Sequence, residues 1–454
     1  MASKRDLVEA HAFNRRRLVT AFVSGSPGGR ELEPGHPLRA VLAGLALAVL
    51  LVVGAAVGGF LRPGLPAGWD DNTLVVARDS GARYVATSGK LYPVANTTSA
   101  RLLLPAEDFR VVLAPDEKIA LEDRGDSVGI VGAPDALPDP KALVETGWTS
   151  CLDRQGRTRQ RLARAPGAAP APEGSAVLVR SGRDLVVVTG RSRLRVSTRA
   201  QTATLRALGL DAVDPVPAPG RWLDLFPAGP DLAPLTAVYV GKPLPPGAPR
   251  PGGASVYGTL VLVPEAGGAD RTYLLTPQGL SPLSPVAAAL YAVGAGGRAG
   301  RPVKVSQAEV ASLRTTEALE PEEWPQVPPT PLNEPVACAL LTASPDQLPS
   351  VQLAVPVDGQ ALPATTSDAV VEPARGALVR AVSGGIVNRG TVFLVDQTAS
   401  RYALGAPEEQ VQAQLGYAGV PLTAVPTSWL EALRDGPELS ATAAQQVVSA
   451  RTGP

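Results

Sequence analysis

The residues able to do chemistry are few. His11 and His36 are the only histidines, and Cys151 and Cys338 the only cysteines, in 454 residues. A Ser-His-Asp or Cys-His nucleophile needs an imidazole within reach, yet both histidines precede an apolar stretch, Val41 to Leu61, that separates them from most of the chain. A His-containing zinc site fails on the same ground. Neither Ser-x-x-Lys nor GxxxxGK[ST] occurs, which removes a penicillin-binding-type nucleophile and a phosphate-cradling loop. Acidic pairs remain at Asp70-Asp71, Glu107-Asp108, Asp116-Glu117, Glu122-Asp123 and Glu322-Glu323. Glycoside hydrolysis needs two carboxylates set across a sugar, and adjacency in sequence does not supply that geometry; these pairs read as solvated charge. Ser383-Gly384-Gly385 and Gly294-Ala295-Gly296-Gly297 read as hairpin turns rather than phosphate loops. No catalytic, cofactor-binding or metal-binding residue is assigned, and no cofactor is expected.

The element that positions everything else is Val41 to Leu61, which carries no charged side chain between Arg39 and Arg62. As a helix it measures about 30 Å, the thickness of a bilayer core. A cleaved signal peptide would start closer to the initiator Met and end in small residues, and a buried soluble helix would be shorter with a polar face. A single membrane span is expected. Lys4, Arg5, Arg15, Arg16, Arg17, Arg30 and Arg39 precede it while Arg62 alone follows closely. The N-terminus is therefore expected in the cytoplasm and the rest outside, across a plasma membrane. Gly54-x-x-x-Gly58 permits close approach of a second helix, or simply faces lipid. With both cysteines on the outer, oxidising side and none left over, a Cys151–Cys338 bridge is expected, closing a loop of about 187 residues.

Net charge is zero, Lys+Arg 42 against Asp+Glu 42, so no nucleic-acid partner is expected. Aromatics at 4% with Gly 46 and Pro 46 suggest small cores and many turns. Residues 3 to 24 read as an amphipathic helix with Ser3 and Asp6 at its start; Leu7, His11, Leu18 and Phe22 fall near one face, and a Gly-rich stretch from Gly25 stops it. With Arg15 and Arg16, this face would dock on a cytoplasmic partner or rest on anionic lipid. Beyond the span, four segments loosely share one pattern, starting near Tyr84, Val177, Tyr257 and Gly376: strands, an apolar helix, then a short strand bounded by Pro. Unequal spacing argues against a regular solenoid. The expected organisation is a cytoplasmic segment 1–39, a membrane helix 40–61, linker and first module 62–118, a core piece 119–175, modules at 176–245 and 246–318, a second core piece 319–374, a fourth module 375–440, and a frayed helical tail 441–454. Pro-rich connectors at 164–175, 241–253 and 320–335 read as semi-rigid spacers. The fold class expected is a single-pass membrane protein with an α+β, β-rich extracytoplasmic region of four repeat modules around a disulfide-linked central core.

Ala10-His11 followed by Arg15-Arg16-Arg17-Leu18 before the span, then LYPVANTTSARLLL from Leu91 to Leu104, then Cys151 and the distant Cys338, together resemble the EccB family. EccB proteins are single-pass membrane subunits of the type VII (ESX) secretion system of actinobacteria. The resemblance is collinear over nearly the whole chain. It implies a structural role in a complex with the FtsK-like ATPase EccC, multispanning EccD and, in many systems, EccE, together with further copies of the chain. It also implies an elongated outer domain whose repeats resemble a phage-lysin wall-binding unit. Some members carry an ATPase label; with no Walker motif here, export is expected to be powered by EccC. The competing reading is a stand-alone envelope receptor that holds peptidoglycan.

Overall fold

A computed structural model of the chain describes residues 3–24, 37–60, 65, 68–345, 347–357, 368–383 and 385–448, with side chains omitted at 24, 37 and 55–60. The chain divides into two compact units, Met1–Pro66 and Ala67–Pro454. The first holds two helices, α1 (Lys4–Ser24) and α2 (Pro37–Phe60). At the start of α1 the Ser3 hydroxyl accepts from Arg5 N at 3.1 Å, while Asp6 accepts from Ser3 N at 3.1 Å, a reciprocal cap. The expected Gly-rich stop at 25–29, His36 and Leu61 lie outside the described residues. Among the residues described in full, no helix is long and apolar enough to cross a membrane. Helix α2 runs 24 residues, about 36 Å, and from Ala40 to Gly54, where the described side chains end, it carries only apolar side chains.

The described residues of the second unit form five sheets. Four share one connectivity. In the first, Thr73–Ala77, Arg83–Thr87 and Lys90–Pro93 form an antiparallel meander; helix Thr97–Leu103 crosses over, and Arg110–Ala114 returns parallel to the opening strand. The same order holds for Ser175–Ser181, Asp184–Val188, Arg193–Arg195, helix Gln201–Ala207 and Val216–Pro217. It recurs in Leu260–Val263, Arg271–Thr276, Gly279–Leu283, helix Pro285–Val293 and Val303–Lys304. The fourth uses Ala377–Val382, Val392–Val395, Ser400–Ala403, helix Glu408–Gln414 and Thr423–Pro426. A one-turn helix follows each returning strand: Asp116–Ile119, Gly220–Leu223, Gln307–Val310 and Thr427–Leu430. The chain then pairs parallel with the third strand of its sheet, at Arg124, Ala228, Thr315 and Arg434–Asp435. Glycine follows directly in three of these: a Cβ at Gly125, Gly229 or Gly436 would lie 2.3 Å from the Tyr92 ring, 2.5 Å from a Leu194 methyl or 2.2 Å from the Tyr402 ring. The first unit of the pattern thus opens at Thr73, eleven residues before the Tyr84 expected from sequence: TLVVA is a short strand between the turn residues Asp70-Asp71-Asn72 and Asp79-Ser80-Gly81, buried with no polar alternation to mark it.

The fifth sheet has six strands drawn from two distant stretches, 148–170 and 336–371. One face of it buries Trp148, Leu152, Ala339 and Leu341 against both the second sheet (Val177, Val179, Trp222, Phe226) and the fourth (Val379, Val425, Trp429, Leu433). The far face of the second sheet packs Leu178 and Val187 on Val286 and Leu290 of the third sheet's helix. The far face of the fourth packs Leu394 and Val411 on Leu102 of the first sheet's helix. The order of packing is third, second, central, fourth, first.

Three expectations are corrected. The Pro-rich connectors are not spacers: Ala168–Pro170 is an edge strand of the central sheet, Thr330–Pro331 pairs with Ser175–Ala176, and Leu244 and Ala254 are buried over the third sheet. Proline fits there because an edge position asks for no inward N–H. The Gly294–Gly297 run is no hairpin turn; it caps helix Pro285–Val293 and opens a 3-10 turn, Gly296–Arg298. The tail is not frayed as far as Val448: Ser440 caps helix Ala441–Ala444, Ala444 is fully buried, and Gly129 N donates to Gln446 O.

Candidate functional site

Cys151 and Cys338 sit directly opposite each other on adjacent antiparallel strands of the central sheet, Trp148–Asp153 and Val336–Thr342. They are bonded. Alternation along a strand explains which way they face: Trp148 and Leu152 enter the large core, so Cys151 points to the other face, where the bridge is covered by Ala168, Leu340 and Ala354. With Cys338 fully buried and Cys151 5% exposed, the pair is a staple between chain segments far apart in sequence.

Asp153 ends the same strand and holds its hairpin turn. It accepts from Gln155 N at 3.0 Å, Arg157 N at 2.9 Å and Arg157 Nε at 2.6 Å. Burial alone would raise its pKa, but the backbone N–H and guanidinium of Arg157 and the Gln155 N–H outweigh that and leave it below the ordinary aspartate value. A carboxyl depressed in the folded state contributes stability above its unfolded pKa, near 4, and loses it as pH falls through the folded value. Asp153→Asn is accordingly expected to flatten the fall in stability below about pH 4, read as thermal midpoint against pH, with little change in its slope near neutrality.

The other carboxylate pairs do not converge on a site. Asp70, Asp71, Glu107, Asp108, Glu322 and Glu323 are exposed, and Asp116 serves the turn at Asp79, whose N–H it accepts at 3.1 Å. Among the described residues no cluster of three or more His, Cys, Asp or Glu side chains is disposed to hold a metal. Two concavities stand out among the described residues. A space of about 20 Å3, room for one water, lies where the second and fourth sheets meet the central one, among Ser150, Gln160, Arg221, Trp222 and Asp368. A larger cleft of about 480 Å3 lies between the Thr189–Ser192 turn and the segment from Glu323 to Pro329. It is lined by mixed polar and apolar groups, and its indole, Trp324, is buried with Nε1 unpartnered.

The string LYPVANTTSARLLL, for which residue propensity gives no reason, has one in the structure. Asn96 caps the helix Thr97–Leu103, accepting from Ser99 N at 2.8 Å and Ser99 Oγ at 2.7 Å. Its amide donates to Ile130 O at 2.7 Å, Ser99 Oγ accepts from Ile130 N at 2.9 Å, and Thr98 Oγ1 donates to Pro134 O. The string is a buried polar knot that ties the crossover helix to the segment at 130–134. Asn96→Ala removes the cap and one of the two hydrogen bonds to the Ile130 carbonyl, which still accepts from Ala133 N at 3.2 Å, and is expected to cost about 1–2 kcal/mol, measurable as a shift in urea midpoint.

The residues expected to dock on a partner are all on α1 and all exposed: Leu7 is 65%, Leu18 68% and Phe22 92% accessible, with His11, Arg15 and Arg16 beside them. Gly54 of the packing motif lies on α2 with no atom within 4 Å of a Cβ placed there; Gly58 lies where only the backbone is described.

Sheet, bridge and packing order define a class: a protein of several small mixed sheets arrayed on a central disulfide-stapled sheet, with helices preceding it in sequence. The chain belongs to the family described as Type VII secretion system ESX-1, transport TM domain B, whose model matches residues 1–450. It is similar to the ESX-3 secretion system ATPase EccB3 of Mycolicibacterium smegmatis, 31% identical over 445 residues, covering 88% of this chain and 82% of that protein. Among solved structures it resembles a chain of an intact ESX-5 inner membrane complex, with TM-score 0.67 and 25% identity over 100% of this chain and 97% of that one. It also resembles the EccB3 dimer from an ESX-3 core complex, with TM-score 0.67 and 28% identity over 83% and 100% of the two chains.

Proposed function

We propose that this protein is a scaffold subunit of a type VII (ESX) inner membrane complex. The observation that carries the reading is the likeness, end to end, to a chain of an assembled ESX-5 inner membrane complex. The chain spans the membrane once, with α1 in the cytoplasm and the five-sheet unit outside, as the flanking charge bias supports. The four sheets of common connectivity are repeat modules, and the central sheet is the core on which they are mounted. In this reading α1 docks through Leu7, His11, Leu18 and Phe22, with Arg15 and Arg16 alongside, and Gly54 and Gly58 let the span pack against another helix. The partners are EccC-like, EccD-like and EccE-like subunits and further copies of the chain; a relative is recorded as a dimer. The word ATPase in the names of relatives is not carried over, because the sequence has no GxxxxGK[ST] loop and hydrolysis is assigned to the EccC-like partner.

Deleting residues 1–39 behind an intact membrane anchor tests the docking role. Export is expected to fall to background while the outer unit keeps its Cys151–Cys338 bridge. Undiminished export by this variant would contradict the assignment of α1.

A further inference from the structure

The four like sheets differ at one edge. In each, the returning strand is outermost on its side and parallel to the opening strand. In three of them that edge is blunted. Val216–Pro217 is two residues long and ends on proline, with Thr330–Pro331 laid beside the same opening strand. Val303–Lys304 is equally short and ends on lysine. Thr423–Pro426 ends on proline and is bridged from outside by Pro345. Short strands, proline and lysine are the usual means by which a protein keeps an edge from pairing with another chain.

The first sheet is open along this edge. Arg110–Ala114, RVVLA, runs five residues before Pro115, which caps the next helix as Pro426 does in the fourth sheet, and among the described residues no strand pairs on its outer side. Val111 and Leu113 are 55% and 59% exposed. The direction of the free backbone groups follows from one bond: Ala114 O accepts from Arg78 N, toward the opening strand. By alternation Arg110 and Val112 also face inward, so the N–H and C=O of Val111 and Leu113 point out of the sheet.

We infer that this edge is where a second copy of the chain docks, its Arg110–Ala114 strand pairing antiparallel with the same strand about a two-fold axis at Val112. The inference rests on the self-association proposed above and names its surface. The strand is self-complementary in that register: Val111 faces Leu113 twice, as the hydrogen-bonded pairs their outward groups require, and Arg110 faces Ala114, so no like charges oppose. Val112 then faces its own copy as the close, non-hydrogen-bonded pair, with Cα atoms about 4.5 Å apart. An isologous contact of this kind closes on itself and leaves no further edge to extend.

The test uses the full-length protein in mild detergent, with native mass and cross-linking as readouts. Because the two cysteines are bonded to each other, Val112→Cys introduces the one free thiol. Oxidation is expected to join two Val112→Cys chains, and not two chains of Val131→Cys, an exposed control away from the strand. Val111→Pro removes an outward N–H that serves no bond within the sheet, and Leu113→Lys places a charge on the edge; each is expected to convert the dimer to monomer with the native bridge and circular dichroism unchanged. A wild-type dimer that survives both substitutions, or equal cross-linking at 112 and 131, would overturn the edge while leaving self-association in place. A wild-type monomer would overturn both. Cross-linking of Val112→Cys to a different polypeptide instead of its own copy would also overturn the self-pairing.

Discussion

Trp429→Ala is expected to destabilise the outer unit by about 3–5 kcal/mol, and Trp222→Ala by a similar amount. Both indoles are at most 1% exposed and occupy corresponding one-turn helices of the fourth and second sheets, where each is pressed into the same face of the central sheet. Neighbours anchored in three sheets cannot collapse into the space left, so the full cavity cost applies. The two sites differ in one polar bond, and that difference is the sharper test. Trp222 Nε1 donates to Ser150 O at 3.0 Å and stacks edge-on to Phe226 at 5.2 Å, whereas Trp429 Nε1 has no partner. Trp222→Phe is therefore expected to cost about 1 kcal/mol more than Trp429→Phe, in urea titrations followed by far-UV circular dichroism. Equal costs would mean that the Ser150 bond contributes nothing net.

Replacing both cysteines by alanine is expected to cost about 2–5 kcal/mol, toward the upper end because the bridge closes 187 residues of chain. The strands it joins are already paired from Val336 with Asp153 to Leu341 with Trp148, so the folded sheet needs no rearrangement when the bond is absent. The unit should then fold at low temperature and melt several degrees earlier, with hydrogen exchange rising first in Trp148–Asp153 and Val336–Thr342. Exchange unchanged in those strands, with the loss spread evenly over all five sheets, would support a purely denatured-state effect.

The bridge was legible in the sequence because two cysteines on one side of an apolar stretch leave a single pairing. The recurring pattern is legible where two strands flank a turn, as in VLVRSGRDLVVVTG, and not at Thr73–Ala77, a five-residue run buried without alternation although Asp71-Asn72 and Asp79-Ser80-Gly81 bound it. Which sheet lands on which was not legible. Val177 and Val179 face the central core while Ala176 and Leu178 face the third sheet's helix, and a strand buried on both faces gives no alternation to read. The Pro-rich stretches misled for a related reason, since proline content marks an edge strand and a spacer alike. The Asn96–Ser99 knot was visible only as an unexplained string, because its partners at Ile130 and Pro134 come from a loop more than thirty residues away.

The central claim, membership of a secretion scaffold, is tested most directly by purifying the tagged full-length protein from its native membranes in mild detergent. Native mass is recorded and companions are identified by mass spectrometry. The account predicts a large particle holding more than one copy of this chain with an FtsK-like ATPase and a multispanning subunit. A lone protomer, or recovery only with cell-wall fragments, would contradict it.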